Sequence, residues 1–274
     1  MTRSIKPIIP FRSLIVALAV FSLGACATAP DGSDPEAVAE YNEVNDPAEP
    51  TMRAIFAFNK TLDVVVLKPA ASIYKDIVPD KGRRAVHNFL NNLRSPVIFF
   101  NDVLQGDFEH ALQTLMRFLI NSTIGILGIN DTAADLGMEF RNEDFGQTLA
   151  VWNIPEGPYV MLPILGPSNP RDAIGRVVDF IIDPLNIWAG NADNDWAVPT
   201  RTGVDAVDFR ALHFDTIEDL EKSSLDFYAT VRTLYRQRRN DEIKNGKVDP
   251  AISVPSIGER MDDDPTPEEI SQAN

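Results

Sequence analysis

The sequence predicts an all-α fold for the central part of this 274-residue chain. Apolar residues recur there every three or four positions in several separate stretches, which is the spacing of an amphipathic helix. Few segments alternate between apolar and polar residues with a period of two, the pattern of a half-buried strand. We therefore expect amphipathic helices and no substantial sheet.

The helices can be placed from these apolar stripes and from the prolines between them. Proline lacks an amide hydrogen, so Pro69 is expected to interrupt the first helix. Asp144 is expected to cap a helix that starts at Phe145. The predicted helical stretches are residues 50–67, a stretch after Pro79, a stretch from Phe108 onward, residues 171–183 with a stop at Pro184, and about 202–244 as one or two helices.

One segment, Leu115 to Ile129, does not fit an ordinary soluble helix bundle. Arg117 and the run Asn121-Ser122-Thr123 make it too polar for a simple membrane span. Its second half is apolar on every side, and Gly125 and Gly128 are expected to loosen the backbone. It is either a buried core helix that ends in a glycine turn or a flexible apolar element that lies against lipid.

A second unusual segment, residues 155–170, contains five prolines. That density of proline precludes a regular helix and predicts an irregular segment. Residues 159–165 within it are nevertheless strongly apolar, and a water-exposed loop does not normally carry such a run. Either protein or lipid must cover it.

The N-terminus has the layout of a bacterial export signal. Arg3, Lys6 and Arg12 precede an apolar run from Leu14 to Leu23, which is about half of the roughly 20 residues that a bilayer span needs. Leu23-Gly24-Ala25-Cys26 resembles a lipobox, so we predict a signal peptide at 1–25 and acylation of Cys26. The alternative is an ordinary signal peptide followed by a free or buried cysteine.

The boundaries of the central domain follow from composition. Residues 26–45 are small, polar and acidic and read as a lipidated flexible tether, while residues 247–274 are rich in proline and carboxylates and read as a disordered acidic tail. The helical domain is therefore predicted at 46–246. Ala27 and Thr28 follow Cys26 where an inner-membrane lipoprotein often has aspartate, which favours the outer membrane.

Charge and motifs exclude several function classes. The formal charge is −15, and removal of residues 1–25 with their three basic side chains makes it more negative still. Such a chain repels the phosphates of nucleic acid. The sequence contains no motif of a metalloprotease, a serine hydrolase or a nucleotide-binding loop. We therefore predict neither an enzyme nor a cofactor.

Several motifs, in order along residues 46–246, resemble the MlaA (VacJ) lipoprotein family. The resemblance is strongest from Arg117 to Gly125 and from Glu143 to Leu149. Other matching stretches are Asn59 with Asp63, Leu67-Lys68-Pro69, Asn88-Phe89, Asn101 to Gly106, Gly157 to Pro163, Gly166-Pro167-Ser168 with Arg171-Asp172, and Gln237-Arg238-Arg239.

The resemblance implies a transport function in which no chemical reaction is catalysed. It implies an outer-membrane lipoprotein that removes mislocalised phospholipids from the outer leaflet and passes them to a soluble periplasmic carrier of the Mla type. It also implies a helical ring embedded in one membrane leaflet from the periplasmic side, a central amphipathic channel, and association with trimeric porins. The alternative is a structural adaptor for porins or envelope assembly that has no lipid channel.

A channel for phospholipid needs polar groups for the headgroup and apolar surface for the tails. The segment from Asn121 to Ile129 offers both, so we predict that it lines the channel. Its members are Asn121, Ser122, Thr123, Ile124, Gly125, Ile126, Leu127, Gly128 and Ile129.

Overall fold

Helices make up almost all of the regular structure in residues 44–245, the part of the chain that this computed structural model describes. The all-α prediction is confirmed. The predicted signal peptide, Cys26, the predicted tail and all but the last two residues of the predicted tether lie outside the described residues.

The helices and strands follow one another along the chain with short connections. The strands form an antiparallel hairpin in which Val160 lies opposite Ser168. The elements are α1 Glu49–Leu62, α2 Lys68–Ile77, α3 Asp80–Gln105, α4 Phe108–Thr123, α5 Thr132–Asp135, α6 Phe145–Val151, β1 Val160–Leu162, β2 Gly166–Ser168, α7 Pro170–Ile182, α8 Pro184–Asn191, α9 Ala197–Leu212, α10 Phe214–Ser223 and α11 Phe227–Ile243.

Pro69 does not interrupt the first helix, so that prediction is wrong. A π-helical turn, Asp63–Leu67, joins α1 directly to α2, and the backbone at Leu67 remains right-handed helical. A proline inside an α-helix clashes with the carbonyl four residues earlier. The wider π turn relaxes this clash, because its amides donate to carbonyls five residues back, as the Lys68 amide does to Asp63.

The C-terminal helical region contains three helices where one or two were expected. α9 begins at Ala197, earlier than predicted, and the chain turns at His213 and again before Asp226. The Asp226 side chain accepts a hydrogen bond from the Ala229 amide at 3.2 Å and so caps α11. Pro184 ends α7 as predicted, but it also begins α8, because proline suits the first turn of a helix.

The proline-rich segment folds as a small β-hairpin and not as a wholly irregular loop. Tyr159, Val160 and Met161 are buried in a cluster with Met52 and Tyr228. Protein therefore covers the first part of the apolar run. The tip residues Ile164 and Leu165 are exposed.

Helix α4 buries its polar side and exposes its apolar side. The buried side chains include His110, Thr114, Arg117 and Asn121. The stripe that sequence periodicity identified faces outward instead, with Phe108, Leu112, Leu115 and Leu119 all exposed. This is the reverse of a helix in a soluble bundle, whose apolar stripe faces the core.

The same inversion occurs in α7, whereas α3 buries both apolar residues, such as Ile98, and polar ones, and exposes other apolar residues, such as Phe100. Asp102 on α3 is fully buried, lies 2.6 Å from His110 Nδ1, and accepts a hydrogen bond from Thr114 at 2.8 Å. In α7, Ile174 and Val177 are exposed. Within residues 44–245, no helix is both long enough and apolar enough to cross a membrane.

Candidate functional site

The predicted channel segment begins with a buried asparagine that holds neighbouring backbone in place. Asn121 Nδ2 donates to Asp131 Oδ1 at 2.8 Å, and its Oδ1 accepts from the Ala133 amide at 2.9 Å. Arg117 donates to both carboxylate oxygens of Asp131, at 3.0 and 2.8 Å. Burial raises the pKa of Asp131, but the hydrogen bonds from Asn121 and Arg117 outweigh it and hold that pKa below its usual value.

After Thr123 the chain leaves the helix and forms a tight turn over residues 124–129. The Leu127 amide donates to Ser122 O at 3.1 Å, and the Gly128 amide donates to Asn121 O at 2.7 Å. Ile126 and Leu127 have φ of 55° and 59°. The left-handed region is a strained conformation for a β-branched residue such as Ile126, and such strain often marks a functional site.

The two glycines of the turn permit close packing and do not loosen it. A Cβ on Gly125 would lie 2.3 Å from Asn130 O, and a Cβ on Gly128 would lie 2.4 Å from Asn92 Cβ. Both glycines are buried. The expectation of a loosened backbone is therefore wrong, because no side chain larger than hydrogen fits at either position.

The apolar side chains of this turn are directed outward. Ile124, Ile126 and Leu127 are 67%, 61% and 66% exposed, and Ile129 is exposed as well. The structure thus combines the two alternatives for this segment: the helix does end in a glycine turn, but the turn presents its apolar side chains at the surface. We name residues 124–129 the apolar turn.

A separate cavity of about 570 Å³ lies between α1, the β-hairpin, α7 and α9–α11. No residue of the predicted channel segment contributes to its wall. Its apolar wall residues are Phe56, Leu67, Met161, Ile164, Leu165, Pro167, Ala206, Phe209, Ile217, Phe227 and Val231. Its charged wall residues are Lys60, Asp63, Asp144, Asp172, Arg176, Arg210, Glu221, Arg238, Arg239 and Glu242.

A buried arginine forms the floor of this cavity. Arg239 on α11 donates to both oxygens of Asp144, at 2.7 and 2.6 Å, and to Asp172 at 3.0 Å. Asp144 also accepts from the Gln147 amide at 3.0 Å, so it caps α6 as predicted. Burial lowers the pKa of Arg239, but the hydrogen bonds to Asp144 and Asp172 and the charges of these carboxylates together outweigh that effect and raise the pKa. For Asp144, burial raises the pKa, but the hydrogen bond and charge of Arg239, together with hydrogen bonds from the Gln147 and Gly146 amides, outweigh burial and lower it.

Asp179 links the helices beneath the cavity. Its Oδ1 accepts from Asn101 on α3 at 2.9 Å, and its Oδ2 accepts from the Phe145 amide at 3.0 Å. Burial raises the pKa of Asp179 to about 6, against the lowering effect of those two hydrogen bonds. Asp179 thus connects α7 to α3 and to the first turn of α6.

Sequence reasoning did not identify the cavity. In the sequence, the motifs Gly166-Pro167-Ser168, Arg171-Asp172 and Gln237-Arg238-Arg239 indicate only the family resemblance, whereas in the structure several of their residues form the wall. The signal that the sequence offered was Arg176, a charged residue that lies among the apolar residues Ile174, Val177 and Val178. Within residues 44–245, no group of three or more potential ligands is placed to hold a metal ion.

Fold and sites together define the class: an all-α protein with outward-facing apolar side chains and a cavity whose wall is both apolar and charged. A family model described as MlaA lipoprotein matches residues 44–242. The chain belongs to the MlaA lipoprotein family.

Related proteins and a solved structure agree with this assignment. The intermembrane phospholipid transport system lipoprotein MlaA of Haemophilus influenzae is 32% identical over 240 residues, which is 86% of this chain and 91% of that protein. The protein of the same name from Escherichia coli K12 is 31% identical over 207 residues, 74% of this chain and 79% of that protein. A solved structure from work on the structural basis for maintenance of bacterial outer membrane lipid asymmetry matches with a TM-score of 0.65 at 31% identity, covering 72% of this chain and 98% of that chain.

Proposed function

We propose that this protein is an outer-membrane lipoprotein that removes mislocalised phospholipids from the outer leaflet and passes them to a soluble periplasmic carrier. The observation that carries the proposal is the cavity, because its wall offers charged groups to a headgroup and apolar side chains to acyl chains. The names of the Haemophilus influenzae and Escherichia coli relatives, which describe intermembrane phospholipid transport, support it. The transfer breaks no covalent bond and needs no cofactor.

The outward-facing apolar surface supports embedding of the helical domain in one leaflet from the periplasmic side. Exposed apolar side chains on α3, α4 and α7 would each cost free energy in water, about 25 cal/mol per Å². Contact with acyl chains removes that cost. Acylated Cys26 would then target and orient a domain that itself belongs in the membrane.

The segment Asn121–Ile129 remains our candidate for the lipid channel, and its two halves have different roles in that proposal. Buried Asn121 holds the start of α5, and Ser122 accepts a hydrogen bond from Asn92 Nδ2 at 3.0 Å. The apolar turn presents the side chains that would meet acyl chains. In this proposal the apolar turn meets acyl chains at the surface, and the cavity holds the lipid.

Porin binding and delivery to an Mla-type carrier are part of the proposal as partner interactions. Exposed apolar side chains can face a porin wall as well as lipid, so they also favour a structural adaptor for porins that transfers nothing. The cavity favours transfer, because an adaptor has no need of a cavity whose wall is both apolar and charged.

The decisive experiment measures outer-leaflet phospholipid in the native envelope, with and without the gene for this protein. Loss of the protein should raise outer-leaflet phospholipid and detergent sensitivity, and the intact gene should reverse both effects. Ile126→Asp should fail to restore them, whereas Asp76→Asn, an exposed polar exchange on α2, should succeed. Unchanged outer-leaflet phospholipid in the deletion strain would reject the transfer function.

Embedding is tested separately with Cys26→Ser, which removes the predicted anchor. The mature chain carrying this change should still need detergent for extraction, because α3, α4 and α7 retain their exposed apolar faces. Free solubility in buffer would contradict embedding and favour a tethered adaptor.

A further inference from the structure

One basic residue in the cavity wall differs from the other four because it forms no ion pair with a carboxylate of the described residues. Four of the five basic wall residues are bound to carboxylates: Lys60 lies 2.5 Å from Glu221, Arg210 2.8 Å from Asp63, Arg238 2.8 Å from Glu242 and Arg239 2.8 Å from Asp172. The fifth is Arg176 on α7. Among the carboxylates of residues 44–245, none forms an ion pair with it.

Arg176 is held in place by neutral groups. Its Nη1 donates to Leu165 O and its Nη2 donates to Pro167 O, each at 3.0 Å. Backbone carbonyls fix the direction of the guanidinium group without cancelling its charge. A guanidinium group has five N–H donors, so donors remain for an anionic ligand, and the side chain is exposed to receive one.

The apolar part of the wall begins at the same hairpin. The Leu165 carbonyl accepts a hydrogen bond from Arg176, and both Leu165 and the neighbouring Ile164 line the cavity. A single short segment thus places a fixed positive charge beside apolar surface. This arrangement is complementary to a phospholipid, in which a negatively charged phosphate lies beside apolar acyl chains.

The carboxylates of the wall do not prevent an anion from binding beside Arg176. Asp63, Asp144, Asp172, Glu221 and Glu242 are each already bound by another arginine or lysine. The wall has as many acidic as basic residues, so the position of an anion depends on which cation is available. That cation is Arg176.

We propose that Arg176 binds the phosphate of the phospholipid headgroup in this cavity, with the acyl chains against Ile164, Leu165 and the apolar wall. The proposal rests on the transfer function proposed above and names the chemical class that the cavity recognises. Arginine suits this role because its planar donors match phosphate oxygens and its charge persists at every physiological pH.

The test measures ligand binding to the purified full chain in a neutral detergent, counted by native mass spectrometry. The ligands are a short-chain phosphatidylglycerol, the diacylglycerol with the same chains, and inorganic phosphate. The variants are Arg176→Gln, Arg176→Lys and Arg84→Gln, the last removing the same charge from an exposed position on α3 outside the cavity wall.

We expect Arg176→Gln to weaken phosphatidylglycerol binding about tenfold or more, since a hydrogen bond to a charged group is lost. Diacylglycerol binding should stay the same, because its chains meet the unaltered apolar wall. Arg176→Lys should retain part of the affinity, because it keeps the charge and loses the planar fork. Arg84→Gln should bind every ligand as the unaltered protein does.

Three results would overturn the assignment of Arg176. Equal phosphatidylglycerol affinity in Arg176→Gln and Arg84→Gln would show that the charge is not used. Equal losses for phosphatidylglycerol and diacylglycerol would show that Arg176 only braces the hairpin. Inorganic phosphate bound as tightly as the lipid would assign the site to the free ion. If the unaltered protein binds no phospholipid, the transfer function fails as well, whereas binding that is insensitive to Arg176 rejects this inference alone.

Discussion

The cavity floor and the apolar turn are built by opposite means. The floor is a set of buried charges, in which Arg239 binds Asp144 and Asp172. The turn has no charge between Ile124 and Ile129 and is held by backbone hydrogen bonds and two glycines. The floor therefore depends on charged side chains that match one another, and the turn depends on two positions, Gly125 and Gly128, where no side chain fits. Substitutions in the floor should therefore act through electrostatics, and substitutions in the turn through steric packing and backbone strain.

The largest effect is expected at the floor. Arg239→Met leaves the buried Asp172 and the partly buried Asp144 without their common partner, and breaking a buried ion pair costs about 3–5 kcal/mol. The melting temperature in neutral detergent should fall accordingly. The matched control is Arg238→Met, whose side chain is 66% exposed and whose ion pair is worth less than about 1 kcal/mol. Equal melting temperatures for the two variants would show that the floor is not held by its charges.

The corresponding change in the turn is Gly128→Ala. The new Cβ would meet Asn92 Cβ at 2.4 Å, and φ at this position is 89°. Overpacking and left-handed strain together should cost roughly 2–4 kcal/mol. Gly137→Ala is the control, since φ there is 81° and nothing lies within 4 Å of a Cβ, so it should cost only about 1 kcal/mol. Chemical unfolding of both variants measures the difference, and equal costs would contradict close packing at Gly128.

A pH effect on stability is expected from Asp179, which links α7 to α3 and α6, and none is expected from the apolar turn, which has no titratable side chain. The pKa of Asp179 is about 6 in the folded protein and about 3.9 in an unfolded chain. The folded state therefore binds the extra proton between these values, and stability is lost as the pH rises from about 4 to about 6.

Asp179→Asn should remove this loss and stabilise the protein by about 1–3 kcal/mol at pH 7. Asparagine can keep the native contacts, because Oδ1 alone accepts from both Asn101 and the Phe145 amide. At pH 4 the variant should match the unaltered protein. Melting curves across this range test the prediction, and a gain of the same size at pH 4 would attribute it to something other than ionisation.

The smallest stability effect is expected at the strained position of the turn. Ile126→Gly relieves a left-handed conformation that costs a residue with a Cβ about 1–2 kcal/mol, and glycine's greater freedom when unfolded offsets part of that gain. Stability should thus change by less than about 1 kcal/mol, while lipid removal should decline because an exposed apolar side chain is gone. Full lipid removal by this variant would refute the role of the Ile126 side chain.

The sequence allowed the helices to be predicted but not the direction in which they face. Leu112 and Leu115 fall on an apolar stripe at helical spacing, and that spacing is the same whether the stripe meets protein, lipid or water. Thr114 and Arg117 complete the opposite face, and only the assembled structure shows that Asp102 and Asp131 receive them.

The cavity was beyond sequence reasoning for a similar reason. Its wall joins residues from α1 to α11, so Arg176 and Phe56 come to line the same cavity through tertiary packing alone. The cap at Asp144 was predictable, because a helix start depends on residues adjacent in the chain. Pro69 was misjudged because the rule for proline assumes an α-helical partner carbonyl, and the π turn removes that condition.

That π turn also sets the orientation of α2. Each residue of an α-helix advances the side-chain direction by about 100°, so one additional residue in a turn rotates everything beyond it by that amount relative to α1. The rotation brings Ala71 and Tyr74 to one side of α2, where Ala71 is fully buried and Tyr74 donates to Asp208 of α9 at 3.1 Å. Deleting one valine from Val64–Val66 would turn this side away from α9, and it would also return Pro69 to an α-helical turn, where its ring clashes with the carbonyl four residues earlier. The π turn Asp63–Leu67 thus changes which side of the continuous helix faces its neighbours, so that α1 contacts α11 and α2 contacts α9.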